Sequence, residues 1–348
     1  MEEVISKNKQ LPEYQHLLVK ISDTYTYGQV RATQAVNIQL LETYWQIGQH
    51  IVEFEQGGNV RAEYGKALIS NLAKDLSLLH GKGFSRSNIL YMRLLYLRYP
   101  ISQKPSHQLS WSHFVELLKI DDDLERKFYE NQSIVEKWSV PQLKRQKDTA
   151  LFQRLALSKN KTEILNLSAE GQQINRPSDI LRDPYVFEFL KIPEEQLPSE
   201  QELENLLYNN LQQFLLELGK GFTYVGRQYR MTINNKHYRV DLVFYHRILR
   251  CFVLFDLKIN EVQHGDIGQM NLYLGYFSNE ENTEGDNPPI GIILTKHKDE
   301  LLIEYATYGM SSQLFVSKYQ LYLPDKADLI ALVNNTLRIK EGDIEITE

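Results

Sequence analysis

The chain has 348 residues, 42% hydrophobic and 24% charged, the balance of an ordinary soluble protein with room for two domains. No run of about 18 apolar residues occurs, which excludes a transmembrane helix, and Met1-Glu2-Glu3 lacks the apolar stretch of a signal peptide. A lone cysteine, Cys251, excludes an intramolecular disulfide and a thiolate metal cluster, so the expected location is cytoplasmic. The net charge of −6 argues against a generally sticky polyanion binder. Residues 1–180 nevertheless hold 23 Lys+Arg against 20 Asp+Glu, and the remainder 16 against 25. The first half therefore suits phosphate better, by a small margin.

Residues 12–156 read as helical throughout. Ile38, Leu41, Tyr44, Trp45, Ile47, Ile51 and Val52 recur at helical spacing over 29–54, and Gly57-Gly58 ends that pattern. A second helix is expected over 62–79, with Leu68, Leu72, Leu76 and Leu79 on one face. Gly81-Lys82-Gly83 breaks the chain, and Ser85 caps a third helix over 86–99 ahead of Pro100. Helices near 111–119, 122–137 and 141–157 follow, the last capped by Ser139 with Pro141 in its first turn. Residues 158–198 are polar and carry Pro177, Pro184, Pro193 and Pro198. They read as a linker in which residues 185–190 have the character to pack on a domain. From 199 the pattern becomes mixed. A helix over 199–218 precedes strands near 223–231, 237–245 and 251–258, a helix over 267–277, a strand at 290–295, a helix near 299–308, a strand at 314–319 and a helix over 327–337. That order describes a mixed sheet flanked by helices. The expected domains are a helical one over 1–157 and a sheet-containing one over 199–340.

The charges that stand out lie on two apolar strands. Asp241 is on one, and the next ends in Asp256-Leu257-Lys258. A short turn at 246–250 joins the strands, so antiparallel pairing brings both carboxylates to one end of the sheet. Alternation puts Asp256 and Lys258 on one face and Leu257 on the other. Taken singly, Asp241 reads as a strand-end turn residue and Asp256 with Lys258 as a surface ion pair. Together they are hard to explain as packing, because an unpaired buried charge is costly. A carboxylate pair suits Mg²⁺ (or Mn²⁺), which prefers hard oxygen ligands. Beside it, Lys258 has the chemistry to orient or deprotonate water and to contact a phosphate.

With these residues the chain resembles the PD-(D/E)xK nuclease superfamily, and in particular YhcG-type proteins, in which a DUF1016 helical domain precedes the nuclease domain. Phe214-Leu215-Leu216-Glu217-Leu218-Gly219 and Val225-Gly226-Arg227-Gln228 resemble the helix and strand that open the nuclease domain. Asp241-Leu242-Val243-Phe244-Tyr245-His246-Arg247, Gly268-Gln269-Met270-Asn271-Leu272-Tyr273, Pro289-Ile290-Gly291-Ile292-Ile293-Leu294 and Glu304-Tyr305-Ala306 resemble its later elements. Arg61-Ala62-Glu63-Tyr64-Gly65, Gly83-Phe84-Ser85-Arg86 and Leu109-Ser110-Trp111-Ser112-His113 extend the similarity through the first half.

The resemblance implies an α+β chain of two domains, with a restriction-endonuclease-like mixed four-stranded sheet after the all-α half. It implies a Mg²⁺-dependent nuclease acting on DNA, expected as an endonuclease, with Asp241 and Asp256 as metal ligands and Lys258 as the catalytic lysine. A helix glutamate that often joins the metal maps onto Glu204, with Glu202 as the alternative. Gln269 and Tyr273, one helical turn apart, resemble a Gln-x-x-x-Tyr element that positions nucleic acid, although Tyr273 reads equally as core. The chain departs from the pattern at Val240, where the superfamily name has proline, and at Asp256, where close relatives carry glutamate.

In the first half, residues 66–99 read either as a helix-turn-helix or as part of an ordinary bundle. No acid occurs from Gly81 to Tyr99, where Lys82, Arg86, Asn88, Arg93 and Arg98 lie among tyrosines. The first reading makes Arg86 and Arg93 DNA contacts. Two rival functions are a DNA-binding protein whose nuclease site has decayed, and an assembly module whose helical half binds a defence or mobile-element protein. The 29–54 helix offers a face for a homo-oligomer. No membrane partner is expected.

Overall fold

The computed structural model describes residues 12–56, 67–99, 108–157, 159–193 and 198–338. The chain divides into two compact units, one of residues up to 126 with 137–143, the other of 127–136 with 144 onward. Among the described residues no helix is long and apolar enough to cross a membrane.

The first unit is helical. Helix α1 (Pro12–Gln56) runs for 45 residues, well beyond the expected 29–54. Then come α2 (Leu68–His80), a 3₁₀ turn at Lys82–Phe84, α3 (Arg86–Arg98) and α4 (Trp111–Leu117). The expected stop at Gly57-Gly58 and the Arg61–Gly65 stretch lie outside the described residues. Ser85 caps α3 as expected, its hydroxyl accepting from the Asn88 amide at 3.3 Å. The C-terminal half of α1 buries Leu41, Ile51 and Val52. It approaches α3 so closely that a Cβ at Gly48 would lie 2.1 Å from the Met92 carbonyl oxygen. The Trp45 indole donates to the Tyr99 carbonyl at 2.7 Å and packs its ring on Tyr96.

The second unit takes residues 127–136 of α5 (Asp123–Glu136) and 144–148 of α6 (Val140–Asp148). The helix expected over 141–157 is two, because Ala150 adopts a left-handed φ of 51° ahead of α7 (Leu151–Ala156). Residues 159–193, expected as linker, belong to this unit's core. They form α8 (Lys161–Glu170) and the two-residue strand β1 (Tyr185–Val186). Ile180, Tyr185, Phe187 and Leu190 are buried there. Tyr185, Phe187 and Leu190 belong to the 185–190 run expected to pack, whereas Ile180 stands among prolines and charges with no periodicity to announce it.

Next are α9 (Glu200–Asn209), α10 (Leu211–Leu218), β2 (Phe222–Ile233), β3 (Lys236–His246), β4 (Cys251–Lys258), α11 (His264–Tyr276), β5 (Ile290–Thr295), α12 (Glu300–Thr307), β6 (Gln313–Gln320) and α13 (Lys326–Arg338). The mixed sheet has six strands in the order β1-β6-β5-β4-β3-β2. Strands β2, β3 and β4 pair antiparallel, while β4, β5, β6 and β1 pair parallel. Five strands match expectation; β1 comes from the supposed linker. Strand β5 is buried along its whole length, as a parallel strand covered on both faces must be. One face packs Leu203, Leu207 and Phe214 of α9 and α10 against Leu242, Phe244, Phe255 and Leu257. The other packs Met270, Tyr273 and Leu274 of α11 against Val243, Leu254 and Ile293.

A buried charge cluster ties the preceding helices to this core. The carboxylate of Glu217, on α10, is fully buried and accepts from Arg154 at 2.6 Å, from Arg145 at 3.3 Å and from the Val186 amide at 3.0 Å. Arg182 lies 3.6 Å away, also buried. Burial alone would raise the Glu217 carboxyl, but Arg154, Arg182 and Arg145 hold it below the usual carboxylate range. Truncating one member of such a cluster strands the others without compensation. Glu217→Gln is therefore expected to cost about 3–5 kcal/mol in urea unfolding. Glu163→Gln, altering an exposed pair with Arg176, should cost under about 1 kcal/mol.

Candidate active site

The site forms where β3 and β4 stop pairing. Their ladder ends at Leu242 opposite Phe255, so the next residues outward are Asp241 and Asp256. Asp241 Oδ2 accepts from the Leu257 amide at 2.8 Å, which fixes one carboxylate to the neighbouring strand. Lys258 Nζ lies 2.9 Å from Asp256 Oδ2 and 3.6 Å from Asp266, in the first turn of α11. The antiparallel juxtaposition expected of these three charges is the one observed.

Glu204 joins them from α9. Ser199 caps that helix in a reciprocal pair with Glu202, so Glu202 is occupied at the exposed end. Glu204, one turn from Glu200, is buried beside Leu203 and Leu207. Its Oε2 accepts from the Gln228 amide at 2.6 Å and from Gln201 at 3.1 Å, and its Oε1 faces Arg227 at 3.3 Å. Gln228 also donates to Asp241 at 3.1 Å. One side-chain amide on β2 thus bridges two carboxylates. Gln228 has a left-handed φ of 48°, an uncommon conformation for a non-glycine residue.

Gln269 is exposed on α11 and donates to the hydroxyl of Tyr273. Tyr273 is buried in the α11 core, so the core reading holds for its ring. Its hydroxyl is pushed up to about 12 by burial and then by Asp256, which shows that the phenol also senses the site. The two basic residues expected to touch DNA lie in the other unit. Arg86 is exposed at the start of α3. Arg93 Nε donates to both carboxylate oxygens of Glu55 of α1, at 2.8 and 3.0 Å, so its charge is already compensated. Arg98 is likewise spent on Asp121 and on the carbonyls of Leu118 and Ile120.

Crowded carboxylates make this site electrostatically incomplete. Burial, and then the Asp241 charge, push the Asp256 carboxyl up to about 6. Burial raises Asp241 as well, and Glu204 adds to it, against the opposing Leu257 and Gln228 hydrogen bonds. Buried Glu204 Oε1 and Asp256 Oδ2 receive no well-aligned hydrogen bond. Among the described residues no group of three or more His, Cys, Asp or Glu is close enough to cage an ion. Asp241 and Asp256 supply hard oxygen donors of the kind that hold a divalent ion which keeps much of its water. Burial disfavours a charged Lys258, but Asp256, and after it Glu200 and Asp266, outweigh that and raise it above the usual lysine range. Lys258 is therefore a charged donor, which favours the orienting role over the proton-accepting one.

Sequence reasoning passed over Gln228, Arg227 and Asp266 as site residues. Gln228 was visible only inside the Val225–Gln228 stretch. Its place opposite Asp241 depends on a register shift in β2 between Tyr224 and Gly226, for which the lone glycine in the strand was the one local mark. Asp266 carried a signal, an acid two residues into a helix next to the lysine strand.

A mixed sheet with two acids and a lysine at adjacent strand ends, joined by a helix glutamate, is the frame of a PD-(D/E)xK nuclease. Residues 178–333 match the family model of the YhcG PDDEXK nuclease domain, and residues 20–154 match the DUF1016 N-terminal domain. The chain is 36% identical over 362 residues to "Putative nuclease YhcG" of Escherichia coli (strain K12), covering 94% of this chain and 96% of that one. This chain belongs to that family, a PDDEXK nuclease domain preceded by a DUF1016 domain. Among solved structures it is similar to a repair endonuclease from Pyrococcus abyssi, at 21% identity and a TM-score of 0.26 over 38% of this chain and 50% of that one. It is also similar to EndoMS in the EndoMS-dsDNA2 complex, at 18% identity and a TM-score of 0.26 over 39% of this chain and 50% of that one. Both matches span about half of the solved chain.

The raised Asp256 has a measurable consequence in metal-free protein. A carboxyl higher in the folded state than in the unfolded one binds its proton more tightly on folding. Its contribution to stability is complete below the usual value of 3.8 and is lost as pH rises through about 6. In EDTA, the parent should lose on the order of 1–3 kcal/mol relative to Asp256→Asn between pH 4 and 7, read by chemical denaturation. Parallel pH profiles for the two proteins would contradict the assignment.

Proposed function

We propose that this chain is a DNA endonuclease that works with Mg²⁺ or Mn²⁺ held by Asp241, Asp256 and Glu204. The observation that supports this reading is the meeting of Asp241, Asp256 and a charged Lys258 where β3 and β4 part, with Glu204 linked to Asp241 through Gln228. When bound, the ion supplies Lewis-acid polarisation of the phosphate and lowers the pKa of its water.

The chain's own groups divide the remaining work. Asp241, pinned by the Leu257 amide, and Glu204, gripped by Gln228 and Gln201, present oxygens in fixed directions. Lys258 holds a proton firmly and donates to the attacking water or to a non-bridging phosphate oxygen, where negative charge builds in the transition state. Gln269, exposed on α11 and set against the buried Tyr273 hydroxyl, stands as a neutral donor for the nucleic-acid backbone. In the helical unit, Lys82 and Arg86 are exposed at the turn before α3 and suit phosphate, whereas Arg93 is held by Glu55. Val30, Val36 and Leu40, exposed within the 29–54 stretch of α1, support a homo-oligomer through that helix.

The test is cleavage of closed circular DNA, which only an endonuclease opens. With Mg²⁺ the parent should nick or linearise it. Lys258→Ala should cut at least about 100-fold more slowly, with an unchanged unfolding transition. Parental protein inert towards closed circles, or Lys258→Ala as fast as the parent, would overturn the reading.

A further inference from the structure

Strands β2 and β3 remain paired beyond the point where β4 leaves β3. Five further rungs run from Tyr229 opposite Val240 to Ile233 opposite Lys236, whereas β4 pairs with β3 only from Leu242 inward. At about 3.4 Å per residue this two-stranded ribbon is roughly 15 Å long. It closes in a two-residue turn whose residues, Asn234 and Asn235, have φ of 46° and 62°, as a tight hairpin requires. Its base is Asp241, the residue after Val240, so the ribbon starts at the active site.

The two ribbon faces differ sharply. Met231 and Val240 are buried, and Tyr229 and Tyr238 pack on the same core as Phe277. That anchoring makes the ribbon a fixed part of the unit. The opposite face carries Arg230, Thr232, His237 and Arg239, all exposed. Arg230 lies directly opposite Arg239. Like charges facing one another across a ladder destabilise it, and among the described residues no acid relieves this pair. Arg230 reaches only the ring nitrogens of His237, at 2.9 and 3.2 Å. Among the described residues neither arginine is engaged by a carboxylate. No Asp or Glu occurs from Leu218 to Val240, a stretch that contains Lys220, Arg227, Arg230, Lys236 and Arg239. Arg227 faces Glu204, but in a chain with a net charge of −6 the Arg230/Arg239 face is an unbalanced positive surface.

We propose that the Arg230/Arg239 face of this ribbon binds the phosphate backbone of duplex DNA beside the scissile position. The proposal rests on the nuclease reading above and names the surface that holds its substrate. Three features select a duplex backbone as the occupant. The charge is positive and exposed. A two-stranded ribbon is of a size that a DNA groove admits. Arg239 stands two residues, roughly 7 Å, from Asp241, which suits a phosphate close to the one being cut. Neutralisation by phosphate would remove the cross-strand repulsion, so the arginines gain from binding what they lose in the free protein.

The experiment uses the full chain with Lys258→Ala to block cleavage, and a labelled short DNA duplex in Mg²⁺ titrated at several salt concentrations. Arg230→Gln with Arg239→Gln should weaken binding to any sequence and make the plot of log affinity against log salt shallower by about 2, one unit per lost phosphate contact. The same variant should unfold at the same temperature as its parent or higher, because a repulsive pair is gone. Arg176→Gln, an exposed arginine already paired with Asp179 and Glu163, should change neither slope nor affinity. Weakened binding together with a lowered unfolding temperature would mean a structural role and overturn the proposal. Unchanged slope and affinity in the double variant, with the parent binding DNA, overturn the ribbon alone. A parent that binds no duplex overturns both this proposal and the substrate reading beneath it.

Discussion

Two carboxylates on neighbouring strand ends repel each other, and the candidate site of this chain is organised around holding them there. Strands β3 and β4 leave their ladder just after Leu242 and Phe255, which sets Asp241 beside Asp256 at the edge of the core. Apolar packing on both faces of the sheet fixes that register, since a one-residue slip would turn Leu242, Phe244, Phe255 and Leu257 out of their layer. The carboxylates have no freedom to separate. Leu257 donates to one, Lys258 sits against the other, and Gln228 joins Asp241 to Glu204. What these donors leave unneutralised is the electrostatic room for a divalent cation.

Around this point the supports are rigid and layered. Helix α9 brings Glu204 because Leu203 and Leu207, on the same stretch, must be buried. Helix α11 brings Asp266, Gln269 and Tyr273 because Met270 and Leu274 pack on Val243, Leu254 and Ile293. A Cβ on Gly291 would meet the Met270 side chain at 2.7 Å, so the helix comes as near to β5 as glycine allows. Farther off, Glu217 gathers Arg145, Arg154 and Arg182 from three separate segments. This links residues of the DUF1016 match to the nuclease core through charge as well as packing, because both Arg145 and Arg154 lie within 20–154.

Basic residues show how far composition misleads about surfaces. The acid-free stretch 81–99 looked like the natural DNA-facing helix, yet Arg93 and Arg98 spend their charge inside the helical unit on Glu55, Asp121 and backbone carbonyls. The acid-free stretch 218–240 drew less notice, because its arginines alternate with apolar residues and read as an ordinary strand. There Arg227 turns to Glu204, but alternation sends Arg230 and Arg239 out to one face while Met231 and Val240 go in. A sequence lists charges; pairing decides which of them remain available.

The linear chain was enough to determine the two-part character of the protein, the order of its main strands and helices, and the acids and lysine of the candidate site. Those properties depend on local pattern: periodicity, caps such as Ser85 and Ser199, and charges set in apolar strands. The tertiary structure decided the rest. It drew residues 159–193 out of an apparent linker and into the core, added β1, separated the roles of Glu202 and Glu204, brought Gln228 to Asp241, and closed Arg93 onto Glu55. Each of these is a contact between residues far apart in sequence, or a choice between near-equivalent neighbours on one helix. Such contacts follow from the packing of whole layers, and no window of the sequence contains them.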